Sequence, residues 1–146
     1  MKITRHASAR WSGTLREGKG AISTESGALI DKYYGFRTRF EGESGTNPEE
    51  LLGAAHAGCF TMALSLVLGE AGLTAERLTT KADVTLEQSN GQFSITAVHL
   101  DIEASVPVVD APTFLRLAET AKATCPLSKV IRAPVTLSAR LANDEA

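Results

Sequence analysis

Cysteine is scarce in this chain, with two in 146 residues. That is too few for a disulfide scaffold, so stability must come from a packed core. An excess of one charge is also missing. Fifteen Lys and Arg face 17 Asp and Glu, for a net charge of −2 and a pI near 5.9. Such a balance gives no electrostatic footprint for nucleic acid or an anionic membrane. The first residues, "MKITRHASARW", lack an apolar segment of the secretory type, so no signal peptide is expected. The expectation is a cytoplasmic protein whose thiols stay reduced. No linker, internal repeat or low-complexity stretch interrupts the chain, and 43% hydrophobic residues argue against disorder. One domain over 1–146, with its own core, is expected.

One long apolar run is present, "LLGAAHAGCFTMALSLVLG" over 51–69. At ~1.5 Å per residue it is about long enough to span a bilayer. His56, Thr61 and Ser65 interrupt it, however, and its flanks are Glu49, Glu50 and Glu70 rather than basic residues. A helix enclosed by protein fits better. Its start is strongly marked. Asn47 suits the N-cap, Pro48 the first turn, and Glu50 the capping-box position. Glu49 and Glu50 also suit the positive end of the helix dipole. The helix is expected to run from about 48 to 71, with Gly72 at its C-terminal turn.

Strands are expected before it, over 1–44. The first ends at Trp11, a hairpin turns around Gly18-Lys19-Gly20, and "YGFRTRFEGE" reads as an alternating strand. A period of two puts Arg37, Arg39, Glu41 and Glu43 on one face, so spacing alone cannot separate the two arginines. After the helix, over 75–141, two long strands should meet at Asn90-Gly91, a hairpin signal. A helix should follow from Asp110 or Ala111 to about Ala123. "CPLSKVI" restarts as a short helix with Pro126 first, and Pro134 leads into a last strand. The fold class is α+β, a mainly antiparallel sheet packed around a long central helix.

The two thiols carry the chemistry that remains. Cysteine is among the most buried residue types, so an inert core role is the default for each. Local rules favour Cys125, at the start of a helix, as the activated one. Cys59 lies about three turns into its helix, beyond that influence. A thiol of ordinary pKa, about 8.5, is only a few per cent ionised at neutral pH. Lowering that value by about 2–3 requires roughly 3–4 kcal/mol. One arginine about 4 Å away supplies ~4 kcal/mol at an effective dielectric near 20, and a carboxylate can orient its guanidinium fork.

These residues carry a resemblance. "YGFRTRFEGESGTNPEELLGAAHAGCFTMALSLVLGEAG" closely resembles the osmotically inducible protein C branch of the OsmC/Ohr family, which includes the organic hydroperoxide resistance proteins. The second motif, "CPLSKVI", falls at the expected distance, and the match in element order spans essentially the whole chain. The resemblance implies an intertwined homodimer. It also implies a thiol-dependent peroxidase acting on organic hydroperoxides and, less well, on hydrogen peroxide. It makes Cys59 the peroxide-reactive thiol and Cys125 the resolving one, and so reverses their local ranking. It assigns Arg39 as activator and Glu49 as its carboxylate partner. It implies no metal or organic cofactor, only an external dithiol or lipoyl-type reductant.

Other residues have blander readings. Arg37 is expected to be a solvated strand charge, Glu50 a capping carboxylate, and His56 a hydrogen-bonded interior histidine on the face of Cys59. A rival reading makes Cys59, Cys125 and His56, with or without His99, a zinc site, although no ligand pair has a finger-like spacing. A third makes the protein a carrier of small apolar molecules.

Overall fold

The computed structural model describes residues 1–142. The chain divides into an N-terminal unit, Met1–Leu51, and a C-terminal unit beginning at Leu52.

In the N-terminal unit, strands β1 (Ala7–Ser12), β2 (Lys19–Thr24) and β3 (Lys32–Tyr34) form an antiparallel sheet in the order β1-β2-β3. The β1–β2 hairpin turns over Gly13–Gly18, where Gly18 N–H donates to the Thr14 carbonyl at 2.8 Å, and Lys19 and Gly20 already belong to β2. Gly20 lies beneath the rings of Trp11 and Tyr34. A Cβ there would come within 2.4 Å of Tyr34 Cε1, so glycine is required.

The strand expected over "YGFRTRFEGE" is instead a short helix, α1 (Phe36–Phe40). The reason is local. Thr38 Oγ1 accepts from Gly35 N–H at 2.8 Å and donates to the Gly35 carbonyl at 3.0 Å, which closes the turn. Gly42, at φ +74, ends it. Alternation over so few residues fits one helical turn as well as a strand. Residues two apart on a helix do not share a face, so Arg37 and Arg39 diverge.

Helix α2 (Pro48–Glu70) starts as the sequence predicts, with Glu50 N–H donating to Asn47 Oδ1 at 2.8 Å. The expected capping box is only half formed: the Glu50 carboxylate accepts from Thr46 Oγ1 at 2.9 Å, where a full box would have it accept from the Asn47 N–H. Gly72, at φ +77, follows the helix end.

In the C-terminal unit, β4 (Arg77–Ser89) and β5 (Gln92–Ser105) form the long hairpin, turning at Asn90 and Gly91 with φ of 52° and 77°. Both values are left-handed, as a two-residue hairpin turn demands. Helices α3 (Ala111–Thr124) and α4 (Pro126–Val130) follow, then β6 (Val135–Leu141), which pairs with β5 in parallel. Asp110 caps α3 through a 2.8 Å bond from Thr113 N–H.

Along β5 every second residue turns inward, so Val98, Leu100, Ile102 and Ala104 are fully buried. They meet Phe60, Leu64 and Leu68 of α2 and Phe114 and Ala118 of α3 in one core. Burying each large side chain contributes about 1.5–3 kcal/mol. Helix α2 is long and apolar enough to cross a membrane, yet this row makes it the core helix of its unit. The fold class is α+β, as expected, with mainly antiparallel sheets and a long central helix.

Candidate functional site

In the N-terminal unit, α1 aims Arg39 at the first turn of α2. Arg39 Nε donates to Glu49 at 2.9 Å (Oε1) and 3.3 Å (Oε2), and Nη2 donates to Oε1 at 2.6 Å. Glu49 is buried, while the Arg39 side chain keeps 37% exposure. Two guanidinium nitrogens on one carboxylate fix the plane of the fork, and Nη1 takes no part in that pairing. Arg37 is exposed on the other side of α1, beside Tyr33 and Glu43.

Arg39 also borders an open cleft of about 370 Å³, lined by Trp11, Leu15, Tyr34, Phe36 and Phe40. Trp11 and Tyr34 pack at 5.5 Å between ring centroids, Phe36 and Phe40 at 4.9 Å. Sequence reasoning does not find this cleft, because its walls come from β1, β3 and α1 and no motif links them.

In the C-terminal unit, α2 carries Cys59, and Cys125 stands between α3 and α4 as the cap of both. Both cysteines are free, and their side chains hydrogen-bond to each other. Cys125 is fully buried; Cys59 is partly exposed. Their environments push them in opposite directions. Burial raises the Cys59 thiol above its ordinary pKa, the Leu127 N–H counters in part, and Cys125 adds to the rise. Burial also opposes the Cys125 thiolate, but the Ser128 N–H, the Cys59 thiol, the Ser128 hydroxyl and the Leu127 N–H together bring its pKa below the ordinary value. Helix α4 has only five residues, so these individual donors, more than a long helix dipole, do the work. On local geometry Cys125 is thus the more acidic thiol, as its place in the sequence suggests.

His56 is fully buried one turn before Cys59, and its Nε2 lies 2.8 Å from Ser128 Oγ. Burial lowers its pKa, so the ring is held neutral. The part played by Ser128 escapes the sequence reading. Its only signal is a position three residues after Cys125, one turn along a short helix.

His99 stands elsewhere, on the exposed face of the β5–β6 pair, with Nδ1 2.7 Å from Thr136 Oγ1 and Nε2 3.1 Å from Ser138 Oγ. Among the described residues no three His, Cys, Asp or Glu side chains are grouped as metal ligands.

Comparison with known proteins gives the family. Residues 41–140 match the family model described as OsmC-like protein. The chain is 53% identical to Peroxiredoxin OsmC of Escherichia coli (strain K12), over 97% of this chain and 99% of that protein. It is 31% identical to an organic hydroperoxide resistance protein-like protein of Mycoplasma pneumoniae, over 90% of this chain and 86% of that protein. The crystal structure of the organic hydroperoxide resistance protein OhrB of Bacillus subtilis superposes with a TM-score of 0.73 at 30% identity, covering 95% of this chain and 98% of that one. On these matches, and on a fold that follows theirs, the chain belongs to the OsmC-like protein family.

Proposed function

We propose that this protein is a cysteine-based peroxidase that reduces organic hydroperoxides to alcohols, and hydrogen peroxide less well, as an antioxidant and stress defence. The observation that carries the reading is the pair of free, mutually hydrogen-bonded thiols, one on the central helix and one at the start of α4. The names of its relatives point the same way.

Cys59, as thiolate, attacks the distal oxygen of the hydroperoxide. An S–O bond forms, the O–O bond breaks, and the alkoxide takes a proton to leave as alcohol. Cys59 is then a sulfenic acid. Cys125 attacks that sulfur and closes a Cys59–Cys125 disulfide, which an external dithiol or lipoyl-type reductant reopens. No metal or organic cofactor enters this cycle.

Cys59 needs a cation, since burial in its own unit works against its thiolate. Arg39, oriented by Glu49, is the residue proposed to supply it. The aromatic cleft beside Arg39 suits the apolar body of an organic hydroperoxide, which hydrogen peroxide lacks. The whole chain, 1–146, is read as a single OsmC-like domain. The free thiols suit a reducing, cytoplasmic setting.

The working form is a homodimer. On α2, Met62 and Leu66 are 77% and 66% exposed beside Gly58 and Gly69, an apolar strip that a second copy would cover. A stable, active monomer in sedimentation at micromolar concentration would refute the dimer.

The activity is tested by a peroxidase assay with cumene or fatty-acid hydroperoxide against hydrogen peroxide, each with lipoyl and monothiol reductants. Preference for the organic substrates and for the lipoyl dithiol is expected. Binding without consumption of any peroxide would leave only the carrier reading.

A further inference from the structure

His56 and Ser128 link the two elements that carry the thiols. His56 precedes Cys59 by one turn of α2, and Ser128 follows Cys125 by one turn into α4. The bond between them joins side chains far apart in sequence, and the His56 ring has no exposed surface. Its second nitrogen, Nδ1, is buried with no hydrogen-bond partner among the described residues.

That unpartnered nitrogen decides the tautomer. With the proton on Nδ1, a buried N–H would go unmet. With the proton on Nε2, only a lone pair does. Buried orphan N–H groups are the rarer of the two. The ring is therefore assigned as the Nε2–H form, donating to Ser128 Oγ. A hydroxyl that accepts from histidine has its own hydrogen available to give. Ser128 directs both that hydroxyl and its backbone N–H to Cys125. The donor chain runs from His56 Nε2–H to Ser128 Oγ–H to Cys125 Sγ. In the opposite tautomer Nε2 would accept the hydroxyl hydrogen, and Cys125 would lose that donor.

We propose that His56 is a positioning residue for disulfide closure, aiming the Ser128 hydroxyl at Cys125 and keeping that sulfur ready to attack the oxidised Cys59. The proposal rests on the reading of Cys59 as the peroxide-reactive thiol and Cys125 as the resolving one. In the step concerned, the Cys125 thiolate attacks the sulfur of the Cys59 sulfenic acid. The S–S bond forms as the S–O bond breaks, and the departing hydroxide becomes water with the proton that Cys125 released on ionising. The sulfur of Cys59 is reduced and that of Cys125 oxidised. His56 and Ser128 are unchanged by the step. The same bond ties α4 to α2, so the two sulfurs stay adjacent while Cys59 changes its chemical state.

The test separates the two half-reactions in single-turnover kinetics. Sulfenic acid is trapped with a cyclic 1,3-dione, and disulfide is counted by mass spectrometry. Ser128→Ala and His56→Leu should slow closure about tenfold, the effect of one hydrogen bond to a charged group, and slow the first reduction far less. With peroxide in excess, a second equivalent should oxidise the lingering Cys59 sulfenic acid, and sulfinic acid should accumulate in proportion. His56→Gln, whose amide N–H can reach Ser128, should recover most of the closure rate. In a Cys59→Ser background the thiolate absorbance of Cys125 should titrate higher in Ser128→Ala and His56→Leu than with both residues intact, and return toward the parent in His56→Gln. Unchanged closure in Ser128→Ala, an equal loss of both half-reactions, or no recovery with glutamine would overturn the proposal. Should His56→Leu fail to fold, Ser128→Ala carries the same test. A wild-type protein that reduces peroxide without forming a Cys59–Cys125 disulfide would overturn the division of roles itself, and this proposal with it.

Discussion

In the N-terminal unit Arg39 meets Glu49 as an ion pair with part of the guanidinium open to solvent. In the C-terminal unit Cys59, Cys125 and His56 meet around an apolar core, joined by bonds between thiols, a hydroxyl and a neutral ring. The first unit holds a charge and the second holds a nucleophile that burial discourages from becoming charged. The contrast is the reason the proposed cycle assigns the cation to Arg39: within its own unit the Cys59 thiol is opposed by burial. Donors within the C-terminal unit serve Cys125, while burial leaves Cys59 with a thiol above its ordinary pKa.

The most severe way to break the contrast is to remove the sulfurs. Cys59→Ser should abolish peroxide turnover. Cys125→Ser should keep one stoichiometric reduction and lose the disulfide, with product counted per thiol at limiting peroxide. A first reduction that survives in Cys59→Ser and is lost in Cys125→Ser would invert the assignment, in the direction local acidity favours.

Removing the charge comes next. Arg39→Ala should slow the first reduction about a hundredfold, the size expected when a few kcal/mol of thiolate stabilisation is lost. Arg37→Ala should change it little, because α1 turns the two arginines to different faces. Arg39→Lys should recover part of the rate, restoring charge without the fork that grips Glu49. Thiolate absorbance against pH, measured alongside the rate, should show the Cys59 midpoint climbing in Arg39→Ala. Equal effects at 37 and 39 would show that activation comes from elsewhere.

The smallest effect sharpens the neutral side of the comparison. Burial depresses the pKa of His56, so the folded state resists protonating it. Its contribution to stability is complete above the unfolded value near 6.5 and is lost as pH falls through the folded value. The urea midpoint of the wild type should therefore fall as pH drops below about 6.5, by at most ~1.4 kcal/mol per pH unit from this one group. His56→Gln should show a shallower fall. Identical slopes would assign acid sensitivity to other groups.

Legibility followed the range of the interactions. The start of α2, the Asn90-Gly91 turn and the start of α3 could be read directly, because each is set by side chains within a few residues of the backbone they cap or turn. The error at α1 has the same scale. Phe36, Thr38 and Phe40 alternate as a strand would, and the Thr38 bonds to Gly35 decide otherwise. The thiols and the residues assigned to them were legible only through a motif pair. The aromatic cleft and the His56–Ser128 bond were not legible, since each joins segments that the fold alone brings together. Asn47, Asp110 and Gly91 act through their own stretch of backbone; Trp11 and Ser128 matter for what lies far along the chain.

The parallel pairing of β5 with β6 has a consequence for the order of assembly. A parallel neighbour cannot be reached by a tight turn, so α3, Cys125 and α4 form the crossover between the two strands. Such long-range pairing closes late and slowly, after the local hairpin of β4 and β5. In refolding, the two thiols should be far apart through the early phases and become neighbours only as the crossover docks. The rate at which an added oxidant can link them would then time the last stage of folding, in a protein proposed to use the same encounter in its cycle.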